Sequence, residues 1–229
     1  MARPRVFVTR RIAQEALDLL AGETDFEVWP DDSAPPREVM LSRARECDAL
    51  LTTVEDRVDE ELLAAGRGRL KVVANFAVGY DNFDVEAATR HGVALSNTPG
   101  VLTKTTAELA FALMIATARR VVEGDRDVRA GKWVRWNPTG YLGVDLHGAN
   151  LGIIGAGQIG TEVAKRAVAF EMTVYYFDLV RHHDTEEKYG LKWCDDLASV
   201  LKVADFVSIH TSLTPETYHL IGREELRLM

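Results

Sequence analysis

The sequence predicts an α/β protein of two domains, each a parallel sheet covered by helices. Three observations predict it. Short apolar runs alternate with helix-like stretches through residues 1–99, each bounded by Gly, Pro, Asp or Asn, which is the pattern of parallel strands joined by helical crossovers. A glycine-rich turn, Gly155-Ala156-Gly157-Gln158-Ile159-Gly160, follows another apolar run and opens another helix-like stretch. The 229 residues, 47% hydrophobic and 27% charged, are ordinary for a globular chain and enough for two modest domains.

In the first domain, strands are expected over Arg5–Thr9, Glu27–Trp29, Ala49–Thr52, Lys71–Asn75 and Val93–Leu95. Helices are expected over Ile12–Ala21, Arg37–Glu46, Glu60–Ala65 and Val85–His91. Pro35-Pro36 is a loop, and Asn97-Thr98-Pro99-Gly100 reads as a hinge. The domains are therefore set at 1–99 and 100–229.

The second domain opens with the longest helix candidate, Thr103–Arg120, where Thr105 and Glu108 have capping-box spacing. Leu109 to Ala116 is apolar all round, so this helix is expected to be buried, between domains, at a subunit contact or in the core of one domain. The charged stretch Val122–Trp136 carries Trp133 and Trp136, and Pro138, Gly140, Tyr141 and Gly143 extend it into an irregular arm over 122–147. Aromatics on an arm outside any strand–helix unit suggest a partner subunit. Strands then follow at Leu151–Ile154, Thr173–Phe177, Leu191–Trp193 and Phe206–His210, with helices at Gln158–Phe170 and Leu197–Val203. Arg181, His182 and His183 read as a solvated loop, and a last helix begins near Glu224. These strands supply positions 3, 2, 1 and 4 of a doubly wound sheet of order 3-2-1-4-5-6.

Composition excludes several functions. A formal net charge of −8 argues against nonspecific nucleic-acid binding. No apolar run approaches the ~20 residues that span a bilayer, and the N-terminus leads into a strand rather than a signal peptide. Cys47 and Cys194 stand far apart in no CxxC pattern, so a reduced, cytoplasmic setting is expected. His91, His147 and His219 are isolated, and no pair has metal-ligand spacing, so no metal is expected.

The glycine turn points to a dinucleotide. Gly155 permits the tight turn, Gly157 lets the backbone approach a pyrophosphate, and Gly160 lets helix and strand pack closely. The pyrophosphate then sits at a helix N-terminus, where free N–H groups favour an anion. Asp178, at the end of the next strand, is placed to accept from the adenosine ribose hydroxyls and would repel a 2′-phosphate, which favours NAD over NADP. The nearby cations Arg181, His182 and His183 weaken that preference.

Four motifs, taken together, resemble the D-isomer-specific 2-hydroxyacid dehydrogenases, most closely the glyoxylate/hydroxypyruvate reductase branch. They are Asn75-Phe76-Ala77-Val78-Gly79-Tyr80-Asp81-Asn82; Asn97-Thr98-Pro99-Gly100-Val101-Leu102-Thr103 with Ala107-Glu108; Leu151 through Gly160; and His210-Thr211-Ser212-Leu213-Thr214-Pro215-Glu216-Thr217. The resemblance runs from about Arg5 to Met229. It implies a flavodoxin-like substrate domain, a Rossmann dinucleotide-binding domain, a homodimer, and NAD(P)-linked reduction of a small 2-keto acid to the D-2-hydroxy acid.

Carried over by motif, Val78 and Gly79 match the loop whose N–H groups hold the substrate carboxylate. The plain alternative is a strand-to-helix turn with Asp84 as the N-cap of the next helix. Thr53 matches an apolar position covering the substrate, and its hydroxyl departs from the pattern. Thr103 lies near the nicotinamide end. Gln158 and Ile159 match the pair at the pyrophosphate, with Gln158 where many relatives carry Arg. His210, Thr211 and Ser212 match the strand end bordering the nicotinamide ribose, and Thr217 closes that motif. For His210 a satisfied strand-end role is favoured over acid/base chemistry.

The family's catalytic Arg, Glu and His lie beyond strand 4, downstream of Met229. No catalytic residue is therefore expected in this chain. It is expected to be a C-terminally truncated copy that binds NAD weakly and turns over nothing, with an incomplete Rossmann domain. The rival expectation is a non-enzymatic NAD-binding or dimer-partner protein.

Overall fold

The computed structural model describes residues 2–229, which divide into two compact units, the first ending at Val101 and the second Leu102–Met229. Each is a parallel α/β layer structure.

The first unit runs β1 (Arg5–Val8), α1 (Gln14–Glu23), β2 (Asp25–Val28), α2 (Arg37–Glu46), β3 (Ala49–Thr52), α3 (Glu60–Ala65), β4 (Val72–Asn75), α4 (Val85–His91) and β5 (Ala94–Ser96). Its sheet has the order β2-β1-β3-β4-β5, all parallel. That is the flavodoxin-like arrangement, in which the order reverses beside the first strand and opens a crevice at the strands' C-terminal ends. Phe7, Leu50 and Val73 are wholly buried against Leu62, Leu63, Met40 and Ala87 from the helices. Local chemistry sets the boundaries. Asp59 and Asp84 each cap a helix by accepting from the N–H three residues on, and Gly92, at φ 68°, ends α4 in the left-handed conformation glycine tolerates.

The second unit runs α5 (Thr103–Ala118), α6 (Val121–Arg129), β6 (Asn150–Ile154), α7 (Gln158–Ala169), β7 (Thr173–Phe177), α8 (His183–Tyr189), β8 (Lys192–Trp193), α9 (Leu197–Val203), β9 (Phe206–Ile209) and α10 (Arg223–Leu226). Its sheet order is β8-β7-β6-β9, again parallel, which is 3-2-1-4 counted from β6. Leu151, Ile153 and Tyr176 form its core with Val163, Ala164 and Ala167 of α7.

Three expectations are corrected. α5 is not buried all round within this chain: Ala107, Phe111 and Ala118 pack inward, while Leu109 (62% exposed) and Leu113 (58%) face out. The inward face is fixed by Phe111 edge-on to Phe170, 4.9 Å between centroids, and by an Arg166–Glu108 ion pair of 3.0 Å. That pair also explains why Thr105 and Glu108 form no capping box. The N-cap is Leu102, and Glu108 lies inside the helix and reaches across to α7. Thirdly, His183 is not in a loop but opens α8, which Gly190 terminates at φ 70°. The charged stretch after Arg120 is helical only to Arg129, because Gly131 at φ 67° breaks it. The arm beyond carries exposed Trp133, Val134, Trp136 and Leu142.

Candidate functional site

In the second unit, the C-terminal ends of β6, β7 and β9 converge on the glycine turn. Each glycine is there for a different reason. Gly155 has φ 89°, and a Cβ on it would lie 2.9 Å from the His210 carbonyl group. A Cβ on Gly160 would lie 2.1 Å from the Gly155 carbonyl oxygen, so helix and strand touch there through backbone alone. A Cβ on Gly157 would meet nothing within 4 Å. The space over Gly157 is open, directly at the N-terminus of α7, which no side chain caps. The N–H groups of the first turn, Gln158, Ile159 and Gly160, therefore point at that space without a helical acceptor. An open, N–H-lined space at a helix N-terminus is what a pyrophosphate needs. The residues present fit a dinucleotide.

Asp178, just past β7, has one carboxylate oxygen on the Ala156 N–H (2.8 Å) and the other on its neighbour, the Leu179 N–H (2.6 Å). The acid is thus fixed against the turn itself. The His182 Nε2 lies 3.3 Å from the same carboxylate. Thr103 Oγ1 donates to Gln158 Oε1 at 3.1 Å, which joins the start of α5 to the start of α7. His210 and Thr211 back onto Gly155. The Thr217 hydroxyl donates to the Ser212 carbonyl at 2.6 Å and accepts from the Thr214 N–H at 2.8 Å, so it closes its own loop. It shapes the segment carrying Ser212 rather than presenting a free hydroxyl.

The His210 ring lies 2.8 Å from Ser208 Oγ, and burial holds its pKa below the ordinary histidine value. The unfolded chain takes up a proton near pH 6.5, while the fold resists it. Stability therefore falls as pH drops through that value and recovers above it. Thermal melts between pH 5.5 and 7.5 are expected to show this slope, and His210→Gln to flatten it. Equal slopes in the two proteins would assign the dependence to another group.

In the first unit, the segment after β4 is organised by its carbonyl groups. The Ala77 carbonyl accepts from the Thr98 N–H at 2.8 Å, the Val78 carbonyl from Asn97 Nδ2 at 2.7 Å, and the Gly79 carbonyl from Asn75 Nδ2 at 2.9 Å. In a trans peptide the N–H points opposite to the C=O. Pulling three carbonyls inward therefore turns the N–H groups of Val78, Gly79 and Tyr80 outward, and none has an acceptor among the described residues. Val78 and Gly79 thus form an outward-facing row of amides, and Asp84 still caps the following helix.

Beneath this row lies a buried polar network. Thr9, Thr52, Asp56 and Asn75 are the buried polar side chains among the described residues. Asp56 accepts from the Thr9 hydroxyl and from the Thr53 N–H (2.8 Å) and hydroxyl (3.2 Å). Asn82 donates to the Asp56 and Thr53 carbonyls at 2.8 and 3.1 Å and accepts from Asn75 at 3.1 Å. Asp56, Asn75, Asn82 and Asn97 were not singled out from sequence. Three of them sit within the quoted motifs, but nothing in their spacing tells an inward asparagine from a solvated one. Thr53 spends its hydroxyl on Asp56, which removes the polarity that set it apart from an apolar site residue.

Both thiols, Cys47 and Cys194, are pushed up by burial, against a nucleophilic role. Among the described residues no group of His, Cys, Asp and Glu is arranged to hold a metal ion, and no helix is long and apolar enough to cross a membrane.

Residues 111–229 match the family model of the D-isomer specific 2-hydroxyacid dehydrogenase NAD binding domain. Over 231 aligned residues the chain is 48% identical to a glyoxylate reductase of Thermococcus litoralis, covering 99% of this chain and 69% of that enzyme. A glyoxylate reductase of Aeropyrum pernix is 50% identical over 233 residues, with 100% and 69% covered. The crystal structure of the TT0316 protein from Thermus thermophilus superposes with a TM-score of 0.90 at 44% identity, over 98% of this chain and 70% of that one. D-Lactate dehydrogenase from Aquifex aeolicus, solved with NAD and lactic acid, superposes at 0.83 and 26% identity, over 98% and 66%. With these relatives aligned along its whole length and the NAD-binding model covering its second half, the chain belongs to the family of NAD-dependent D-isomer-specific 2-hydroxyacid dehydrogenases.

Proposed function

We propose that this chain holds the substrate carboxylate and the NAD of a reductase for small 2-keto acids, glyoxylate and hydroxypyruvate foremost, with the D-2-hydroxy acid as product. The observation that carries this reading is the row of outward amides at Val78 and Gly79, with its carbonyls tied back by asparagine side chains. Successive N–H groups in a turn make an anion site, and a 2-keto acid carries its carboxylate next to the reacting carbonyl. Fixing the one therefore fixes the other. Thr53, with its hydroxyl already satisfied, borders the same strand ends.

In this reading the first unit is the substrate domain and the second the cofactor domain. The amides of Gln158 and Ile159 over Gly155, Gly157 and Gly160 take the pyrophosphate, and Asp178 takes the adenosine ribose. Thr103, His210, Thr211 and Ser212 border the nicotinamide ribose, with Thr217 shaping their loop. When bound, the reduced cofactor supplies a hydride to the keto carbon. Turnover also needs a cation on the carbonyl and an acid for the developing alkoxide. His210 is a poor candidate for that acid, being paired with Ser208 and having its pKa lowered by burial. We infer that residues 1–229 bind both ligands but do not complete the reaction. The exposed face of α5 and the Trp133–Leu142 arm are the surface we assign to a homodimer, and the cytoplasm is the setting we assign to it.

The test is a fluorescence titration of the 229-residue chain with NADH, followed by glyoxylate or hydroxypyruvate while NADH absorbance is recorded. Binding without oxidation is expected, on a particle that sediments as two chains. Oxidation by this chain alone would overturn the inactivity, and absence of NADH binding would overturn the cofactor site.

A further inference from the structure

Cofactor choice in such a fold turns on what meets the adenosine ribose. A carboxylate suits a 2′-hydroxyl, and a guanidinium suits a 2′-phosphate. This chain carries both, with Asp178 at the end of β7 and Arg181 three residues on. Left free, Arg181 would offer a 2′-phosphate its counter-charge.

It is not free. Arg181 Nε and Nη2 donate to the two oxygens of Glu186, both at 2.9 Å. This fork-to-fork pairing is the strongest geometry open to a guanidinium. Glu186 is itself anchored. The Tyr176 phenol donates to Glu186 Oε1 at 2.6 Å and accepts the His182 N–H at 2.8 Å. Tyr176 is wholly buried in the middle of the sheet, with its ring edge-on to Trp193 at 5.2 Å. A buried strand residue thus grips α8, and α8 grips the arginine. The Arg181 and Tyr176 bonds bring the Glu186 pKa down to about 2, so the acid stays charged at any working pH. Burial first, and the Glu186 bond second, push Tyr176 up to about 12, so it remains a donor.

We propose that Tyr176 and Glu186 form a latch that withholds Arg181 from the adenosine ribose and makes this chain select NAD over its 2′-phosphorylated form. The proposal rests on the cofactor site described above and adds the residues that set its selectivity.

The experiment measures NADH and NADPH dissociation constants for the 229-residue chain by nicotinamide fluorescence. The variants are Glu186→Gln, Arg181→Gln, the two together, and Tyr176→Phe. Glu186→Gln is expected to tighten NADPH binding about tenfold relative to NADH, since it restores one charge-assisted contact. Adding Arg181→Gln should erase that gain, and Tyr176→Phe should give a smaller shift in the same direction. Arg181→Gln alone, an exposed change that leaves the core untouched, should leave NADPH affinity as it was. A loss of NADPH affinity in that single variant would show that Arg181 already serves the phosphate and would overturn the latch. So would an unchanged NADPH/NADH ratio in Glu186→Gln, or a gain that survives removal of Arg181. If the wild type binds neither nucleotide, the cofactor site itself falls and the latch with it. If NADH binds and only the ratio fails to move, the latch alone is wrong.

Discussion

Replacing Gly157 with valine is expected to abolish NADH binding while leaving the protein folded. Gly157 has φ −63°, a value open to any residue, and an added Cβ meets no atom within 4 Å. The substitution therefore costs the fold little, within about ±0.5 kcal/mol as for an ordinary surface change. The added side chain does occupy the cradle that the free amides of Gln158 and Ile159 face. Loss of the pyrophosphate contact is expected to weaken NADH by at least about a hundredfold, equivalent to ~2.7 kcal/mol. Gly160→Ala supplies the contrast. Its methyl would sit 2.1 Å from the Gly155 oxygen, so α7 must move off the sheet, and melting temperature and binding should fall together. Titration calorimetry beside thermal melts separates the two. Should Gly157→Val keep its NADH affinity, the nucleotide does not lie over this turn.

Asp56→Ala is expected to destabilise the first unit by about 3 kcal/mol, the low end for removing one partner of a buried charged cluster. The Asp56 side chain is 2% exposed and serves the Thr9 hydroxyl and both the N–H and the hydroxyl of Thr53. Its removal leaves Thr9, which is fully buried, without an acceptor. Arg10 also loses a counter-charge 3.8 Å away, although Glu55 at 2.8 Å still balances it, which is why the low end applies. Asp56→Asn keeps the shape and one acceptor and should fall between wild type and alanine. Urea unfolding at constant m-value reads the loss. A change under about 1 kcal/mol would mean that water already satisfies this cluster.

Most of the architecture was legible because it is written in short-range signals. α2, α3, α4 and α9 occupy the residues expected, each entered from Pro or Asp, with α3 and α4 closed by Gly. The glycine turn was legible for the same reason, since Gly155 and Gly160 answer local steric demands and Gly157 leaves the helix N-terminus open. α8 was not, because it fully buries no residue and Tyr189 alone of its seven residues packs on the core. Its order comes from Tyr176 on β7 through bonds to His182 and Glu186, a link no local pattern announces. The network of Asp56, Asn75 and Asn82 was hidden for a related reason. Polar residues in loops read as solvated until the fold brings their segments together. The outer face of α5 is a separate case. Its apolar sequence spoke of a covering that the single chain does not provide.

The outward-facing amides after β4 belong to the main chain, so no substitution at Val78 or Tyr80 other than proline deletes them. Every residue other than proline supplies the same N–H. What a point mutation can remove is the restraint that aims them, and that restraint sits in Asn75 and Asn97. Genetic fragility is thereby displaced from the contact to its supports. If the row holds a substrate carboxylate, as proposed, drift in the surrounding side chains can retune which acid is accepted without endangering that grip. A screen for lost binding would return the two asparagines more often than the turn they orient.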